Sequence, residues 1–453
     1  MLLTFVSSTN HVCVFDKDKD GKHCPVYAYA YLDNRYTSTS MPKKIGEQLF
    51  ILKPDKELRF KVENIYETVL LELKSGVAEI FGSILVIGKP YTFHFGSYVS
   101  IFTWKGCILK LCGKKGFTYT ISNVTPMMSY LKCHASLEQL RQKAEQQKCR
   151  GPITMVVGSK NTGKSTLCRI LLNYAAKTGD NDRKPIYVDL DPDRGQISIP
   201  GTIGAVLVEK PAEPDEQFSH IAPLIYHYGH NYINNDFATF NTLVTQMAKI
   251  IHARMAVNPI INNSGIIINT SGQIEGKYYD TLTHIALAFE VDVILVLDED
   301  QLYDHLLQDM PNFVKVLYLP KSDWLPVRSK EMRRLTMENR IREYFFSKPK
   351  TKFYPYTCCV KFKDIKVFGI SEVDFKPALV LVNPDRNMMY HILAVSFATT
   401  TEEDIIRTNI AGFVCVINVS TKQKRLILLS PLPKPLPDAV YLISDTKFIV
   451  RQH

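Results

Sequence analysis

Residues Gly158-Ser159-Lys160-Asn161-Thr162-Gly163-Lys164-Ser165 follow the pattern G-x-x-x-x-G-K-[ST]. Two glycines in such a loop let the backbone curl until successive N–H groups point inward, and a helix starting beside them aims its positive dipole end at the same place. A triphosphate fits that arrangement, with Lys164 reaching the β- and γ-phosphates and the Ser165 hydroxyl ligating Mg²⁺. A second set of chemical groups follows in Tyr187-Val188-Asp189-Leu190-Asp191-Pro192-Asp193-Arg194. A carboxylate at the end of a strand beside a phosphate loop can hold Mg²⁺ or take a proton from an attacking hydroxyl, and Asp191 is best placed to do so. A surface turn rich in Asp, Pro and Gly has the same composition, and only the company of Lys164 favours the functional reading. Further on, Val327-Arg328-Ser329-Lys330-Glu331-Met332-Arg333-Arg334 opens a helical pattern. Guanidinium groups can neutralise charge on a phosphoryl group in transfer, although a charged helix is also what a solvated face looks like. Arg328 and Arg333 lie about 140° apart on an ideal helix, so both serve one phosphate only if Arg328 precedes the helix proper.

These groups need a rigid frame, and the hydrophobic pattern supplies one. The apolar run Ile153 to Val157 leads into the loop, and a helical pattern, Thr166 to Ala176, leaves it. Between about 150 and 346, candidate strands at 153–157, 186–190, 223–227, 265–269, 292–297 and 314–319 alternate with helical stretches. That alternation predicts a parallel sheet with crossover helices, in an α/β domain over 149–348. Upstream, over 46–135, short alternating strands punctuated by glycines predict a β-sandwich-like domain, joined by a linker helix at 136–148. Downstream, β-type runs over 349–453 predict a small C-terminal β-rich domain. Residues 1–45, with Asp16-Lys17-Asp18-Lys19-Asp20-Gly21-Lys22 and a polar stretch from Ser38 to Pro42, offer little apolar face and read as a flexible extension.

A chain of 453 residues is too long for one core. Apolar residues at 45% and charged residues at 22% indicate a globular class, and a net charge of +10 suits an anionic partner such as nucleic acid. The ten cysteines include no C-x-x-C pair, which argues against both a zinc site and a disulfide framework. No apolar run approaches the length of a membrane span, and the first residues lack a basic segment ahead of an apolar one, so neither membrane insertion nor secretion is expected.

Several ordered segments together carry a resemblance. They are Gly151-Pro152 with the Lys164 loop, Leu190-Asp191, Ser198-Ile199-Pro200-Gly201-Thr202, Ile268-Asn269-Thr270-Ser271-Gly272, Arg328-Ser329-Lys330 and Arg340-Ile341-Arg342-Glu343-Tyr344-Phe345. Lys56-Glu57-Leu58-Arg59-Phe60, Ala78-Glu79-Ile80-Phe81-Gly82 and Leu429-Ser430-Pro431-Leu432-Pro433 extend it across nearly everything after residue 45. The chain thereby resembles the polyribonucleotide 5′-hydroxyl kinase family that serves as a subunit of pre-mRNA cleavage factor II.

The resemblance implies ATP between the N-terminal and central domains, with Asn161, Thr162, Gly163, Lys164, Ser165 and Thr166 cradling phosphates and Ser165 serving Mg²⁺. It implies Asp191 as activator of an RNA 5′-hydroxyl, Arg328 and Arg333 in a lid, and Glu57 as a nucleotide contact from the N-terminal domain. A second such contact, lysine in the family, falls on Tyr98. The implied partners are RNA with a 5′-hydroxyl end, other subunits of the cleavage factor and the tRNA-splicing endonuclease, and the implied compartment is the nucleus. Two departures bear on activity. Where active members continue after the aspartate as Val-Gly-Gln, this chain has Pro192-Asp193-Arg194, and where they place a base-clasping tryptophan it has Gln273. An active kinase and an ATP-bound scaffold of the cleavage machinery therefore both stay open. A GTPase would want N-K-x-D after the fifth strand, where the chain offers Pro320-Lys321-Ser322-Asp323.

Overall fold

The computed structural model describes residues 13–17, 23–27, 46–64, 66–113, 117–122, 124–177, 183–216, 218, 221–233, 236–324, 330–346, 354–374 and 376–449. Most of the stretch expected to be a flexible extension thus lies outside the described residues. Within it, β1 (Cys13–Lys17) and β2 (His23–Tyr27) pair antiparallel. The chain divides into two compact units. One comprises residues 45–340 with 371–378, and the other takes in 341–370 and 379–453 together with the first residues.

The larger unit begins with nine strands, β3 (Gly46–Leu52), β4 (Lys56–Val62), β5 (Thr68–Gly76), β6 (Glu79–Ile80), β7 (Ser83–Ile84), β8 (Pro90–His94), β9 (Tyr98–Thr103), β10 (Cys107–Gly113) and β11 (Phe117–Ser122). They form two facing sheets, ordered β3-β10-β5-β8 and β11-β4-β9-β6-β7. Strict alternation makes this possible, since Val69, Leu71 and Leu73 of β5 and Cys107, Leu109 and Leu111 of β10 turn inward to meet Leu58, Phe60, Val99 and Ile101. This is the expected β-sandwich.

Helix α1 (Met127–Gln147) follows. It starts at Met127 rather than at Ser136, because Met127, Tyr130 and Cys133 continue the buried stripe of Leu137, Arg141 and Ala144. The fully buried Arg141 donates from Nε to the Ser264 carbonyl at 3.0 Å and pairs with Glu138, fixing the helix against the central domain.

The central sheet comprises β12 (Ile153–Val157), β13 (Ile186–Asp189), β14 (Thr202–Leu207), β15 (Leu224–His227), β16 (Ile266–Asn269), β17 (Val293–Leu297) and β18 (Lys315–Leu319), in the order β15-β14-β13-β16-β12-β17-β18. Strands β13, β16, β12, β17 and β18 run parallel and carry the expected apolar stretches. Strand β14 is an addition to the sequence reading. It pairs antiparallel with β13 and β15, and its run Thr202 to Leu207, which follows Pro200-Gly201, was not among the candidate strands. Helices α2 (Lys164–Ala175), α3 (Phe237–Ala256), α4 (Pro259–Ser264), α5 (Lys277–Ala288) and α6 (Asp300–Asp309) flank the sheet, and α7 (Lys330–Phe346) ends the unit at Arg340. The sandwich is fastened to this sheet through α2. Asn173, wholly buried, donates to the Phe81 carbonyl at 2.8 Å and accepts from Ala212 N–H at 2.9 Å, while Tyr174 donates its hydroxyl to the buried Glu79.

The second unit is built on β19 (Tyr356–Lys361), β20 (Lys366–Val373), β21 (Lys376–Leu381), β22 (His391–Ser396), β23 (Ile410–Ser420), β24 (Arg425–Ser430) and β25 (Val440–Lys447), ordered β19-β24-β23-β22-β25-β20-β21. Val395, Val414, Val416, Leu426, Leu428 and Tyr441 form its core. No helix among the described residues is long and apolar enough to cross a membrane.

Candidate nucleotide site

The carboxyl ends of the parallel strands open into one cleft, as expected where helices cover both faces of such a sheet. Strand β12 ends at Val157, and Gly158 turns the chain with φ 146° against Leu297, whose carbonyl a Cβ would meet at 2.8 Å. Asn161 (φ 66°) and Gly163 (φ 96°) complete the curl, and Gly163 is the N-cap of α2. The Thr162 hydroxyl donates to the Ser159 carbonyl at 3.0 Å, holding the loop closed from inside.

Lys164 is buried, and its ammonium donates to the carbonyls of Gly158 and Ser159, each at 2.8 Å. Burial lowers its pKa to about 8, against an opposing pull from the Asp191 charge, so the ammonium stays charged at neutral pH. Two of its three protons are engaged by the loop itself, and the third remains to point into the cleft.

Asp189 closes β13 beside Asn269, the last residue of β16. The Asn269 amide donates to its carboxylate at 2.7 Å, and the N–H groups of Asp191 and Gln196 approach at 3.4 and 3.3 Å. Burial first, and the Asp191 charge second, raise Asp189 to about 7. Asp189 thus shapes the turn, and Asp191 emerges from it into the cleft, accepting from Asp193 N–H at 3.3 Å. Burial and Asp191 also push the Asp193 carboxyl up, while Lys160, Arg194 and Arg333 draw it down.

From the opposite wall, Arg333, Thr336 and Met337 of α7 line the cleft, spaced so that one helix face presents all three. Ser271, Gly272 and Gln273, after β16, and Asn231, Tyr232 and Ile233 form the rest of the rim, with the Lys160 ammonium 5.2 Å from the centre of the Tyr232 ring.

Of the residues singled out from sequence, Asn161, Gly163, Lys164, Ser165, Asp191 and Arg333 line this one cleft. Thr162 works behind it through Ser159, and Thr166 lies in the first turn of α2 without forming the lining. Arg328 lies outside the described residues. Glu57 and Tyr98 do not join the lining. Glu57 is buried against Arg59 at 2.9 Å, and Arg59 also reaches Asp323 at 2.6 Å. Tyr98 pairs with Lys61 and Glu57 with Phe102, which sets Glu57 and Tyr98 about 13 Å apart along the sandwich. Sequence reasoning missed Lys160 and Tyr232, and it left Asp189 out of the site. The doubled aspartate at a strand end was a usable signal for Asp189, whereas a tyrosine within a loop carried none.

Proteins of known kind match this chain along most of its length. The family described as "mRNA cleavage and polyadenylation factor CLP1 P-loop" matches residues 158–347. The "N-terminal beta-sandwich domain of polyadenylation factor" matches 51–144, and "Pre-mRNA cleavage complex II protein Clp1" matches 353–449. The chain belongs to the Clp1 family. The Clp1 homologue of Anopheles gambiae is 45% identical over 90% of this chain and 98% of its own length. The polyribonucleotide 5′-hydroxyl-kinase Clp1 of Bos taurus is 44% identical over 88% of this chain and 96% of its own. A solved Clp1p–Pcf11p complex matches with a TM-score of 0.79 at 22% identity, covering 90% of this chain and 99% of that one, a likeness that speaks for the fold. Membership places the chain among the pre-mRNA cleavage factors and makes its central domain a kinase-like, nucleotide-binding one.

Proposed function

We propose that the chain binds ATP with Mg²⁺ in this cleft and transfers the γ-phosphate to the 5′-hydroxyl end of RNA, as a nuclear subunit of the pre-mRNA 3′-end cleavage machinery. The observation that carries the reading is the convergence of Lys164, Ser165, Asp191 and Arg333 on one cleft. Such transfer proceeds without a covalent enzyme intermediate, so the protein's task is positioning and charge neutralisation. Lys164 would balance charge at the β- and γ-phosphates, Arg333 would meet charge developing on the transferred group, and Asp191 would accept the proton leaving the RNA hydroxyl. The donor set suits Mg²⁺, which takes few protein ligands alongside substrate phosphates, here the Ser165 hydroxyl. The bound ion would add positive charge between the phosphates. Clp1p is solved with Pcf11p, and a Pcf11-like subunit is the partner we assign. The family resemblance alone supports the tRNA-splicing endonuclease as a second.

A second reading, an ATP-bound scaffold, is favoured by one observation. The cleft rim carries Gln273 in place of an aromatic platform, and Asp193 and Arg194 crowd Asp191. Purified protein, γ-labelled ATP and a 5′-hydroxyl oligoribonucleotide separate the two. Label on the RNA, lost in Asp191→Asn, supports the kinase. ATP binding without transfer supports the scaffold.

A further inference from the structure

The C-terminal sheet gathers positive charge at one end. Strand β19 finishes at Lys361 and β24 starts at Arg425, and these two are directly paired, with Ser420 of β23 on the other side of Arg425. The connection from β19 to β20 adds Lys363, the first residue of β20 is Lys366, and the turn between β23 and β24 adds Lys422 and Lys424. Phe362 N–H donates to the Lys424 carbonyl at 2.9 Å, which fastens the connection onto the turn.

The charge is segregated. Of the eleven Lys and Arg in residues 354–449, six stand in the two short segments 361–366 and 420–425, whereas of the nine Asp and Glu only Asp364 does. Lys363, Lys366, Lys422 and Lys424 are exposed, Lys361 and Arg425 half-buried, and none of the six belongs to the domain core.

We infer that this tip binds the sugar-phosphate backbone of single-stranded RNA, independently of base sequence, through residues none of which lines the nucleotide cleft. A polyanion is the partner that such charge fits, and the family acts on pre-mRNA. The exposed residues of the two segments are all polar, whereas a protein-docking surface needs an apolar centre. Aromatic rings are missing from that exposed set, and the charge that dominates it leaves the phosphates as the recognised groups.

The test uses the full chain and a fluorescent, 5′-phosphorylated oligouridylate of about 20 nucleotides, with anisotropy titrations between about 50 and 200 mM salt. The triple variant Lys422→Glu, Lys424→Glu, Arg425→Glu should bind at least about tenfold more weakly. It should also lose about 2 from the slope of log affinity against log salt, since each single-strand phosphate contact contributes about 0.7. Circular dichroism and melting temperature report whether the variant folds. Lys363→Glu with Lys366→Glu, on the other segment, should shift affinity and slope in the same direction and decides the matter if the triple variant unfolds. Unchanged affinity and slope in the folded variants overturn the proposal. Equal competition by polyglutamate and polyuridylate of matched charge overturns it as well, and assigns the tip to an acidic protein.

Discussion

Asp189 and Asn269 end neighbouring parallel strands side by side, and the asparagine amide donates to the aspartate carboxylate at 2.7 Å. The same carboxylate receives the N–H groups of Asp191 and Gln196, at the start and end of the turn, so a buried acid holds the cleft-lining one in place.

That burial makes stability depend on pH. Asp189 is raised from 3.8 to about 7, so the folded chain keeps a proton that the unfolded chain has already released. Its contribution is complete below about pH 4 and is lost as pH rises to about 7. Asp189→Asn should therefore flatten the pH dependence of the urea midpoint across this window. Parallel curves for wild type and variant would show that the raised pKa is not expressed.

Nucleotide binding should depend on Lys164. Replacing a buried ammonium beside phosphates with a methyl group removes a charge-assisted contact worth about 1.5–4 kcal/mol, and Lys164→Ala should weaken ATP by about 10- to 1000-fold in calorimetry. Equal affinity would refute the loop assignment.

Asn173 should be a stability residue rather than a site residue. Its amide satisfies a carbonyl of the sandwich and an N–H of the central domain, both within the larger unit. Asn173→Ala leaves two backbone groups without a partner and should destabilise by about 2–4 kcal/mol in denaturant unfolding. A change under about 0.5 kcal/mol would mean that water replaces the amide.

Gln273→Trp tests what limits transfer. A ring at this rim position offers a face to any base, worth about 1–3 kcal/mol, and should raise RNA affinity or label transfer while ATP affinity stays the same. Turnover of about 1–100 per second in wild type would instead make the tryptophan dispensable.

The loop, its strand and its helix were legible because glycine spacing and an uninterrupted apolar run are local signals. Asp191 was legible as a carboxylate just past a strand, and the parallel strands as apolar runs of the right length. What escaped was set by pairing across long separations. Thr202 to Leu207 becomes a strand by lying between β13 and β15, and Met127 joins α1 because a distant surface covers it. Tyr232 meets Lys160 only once two loops far apart in the chain converge, and the resemblance that suggested Glu57 carried no account of its ion pair with Arg59.

Gly272 stands so close to the phosphate loop that a Cβ there would meet the Lys160 backbone nitrogen and Cα at 2.8 Å. Backbone and side chain of Lys160 both stand at this contact, its Cγ nearest at 2.6 Å, and the two backbone atoms leave little room for a displacement. A shift of the segment leading to Gln273 toward the loop would therefore press on it, and a nucleotide that settles the loop would also settle the rim where an RNA end would rest. ATP and RNA, bound as proposed, would then be thermodynamically linked, each strengthening the other by the same factor, and enlarging residue 272 would change both affinities together.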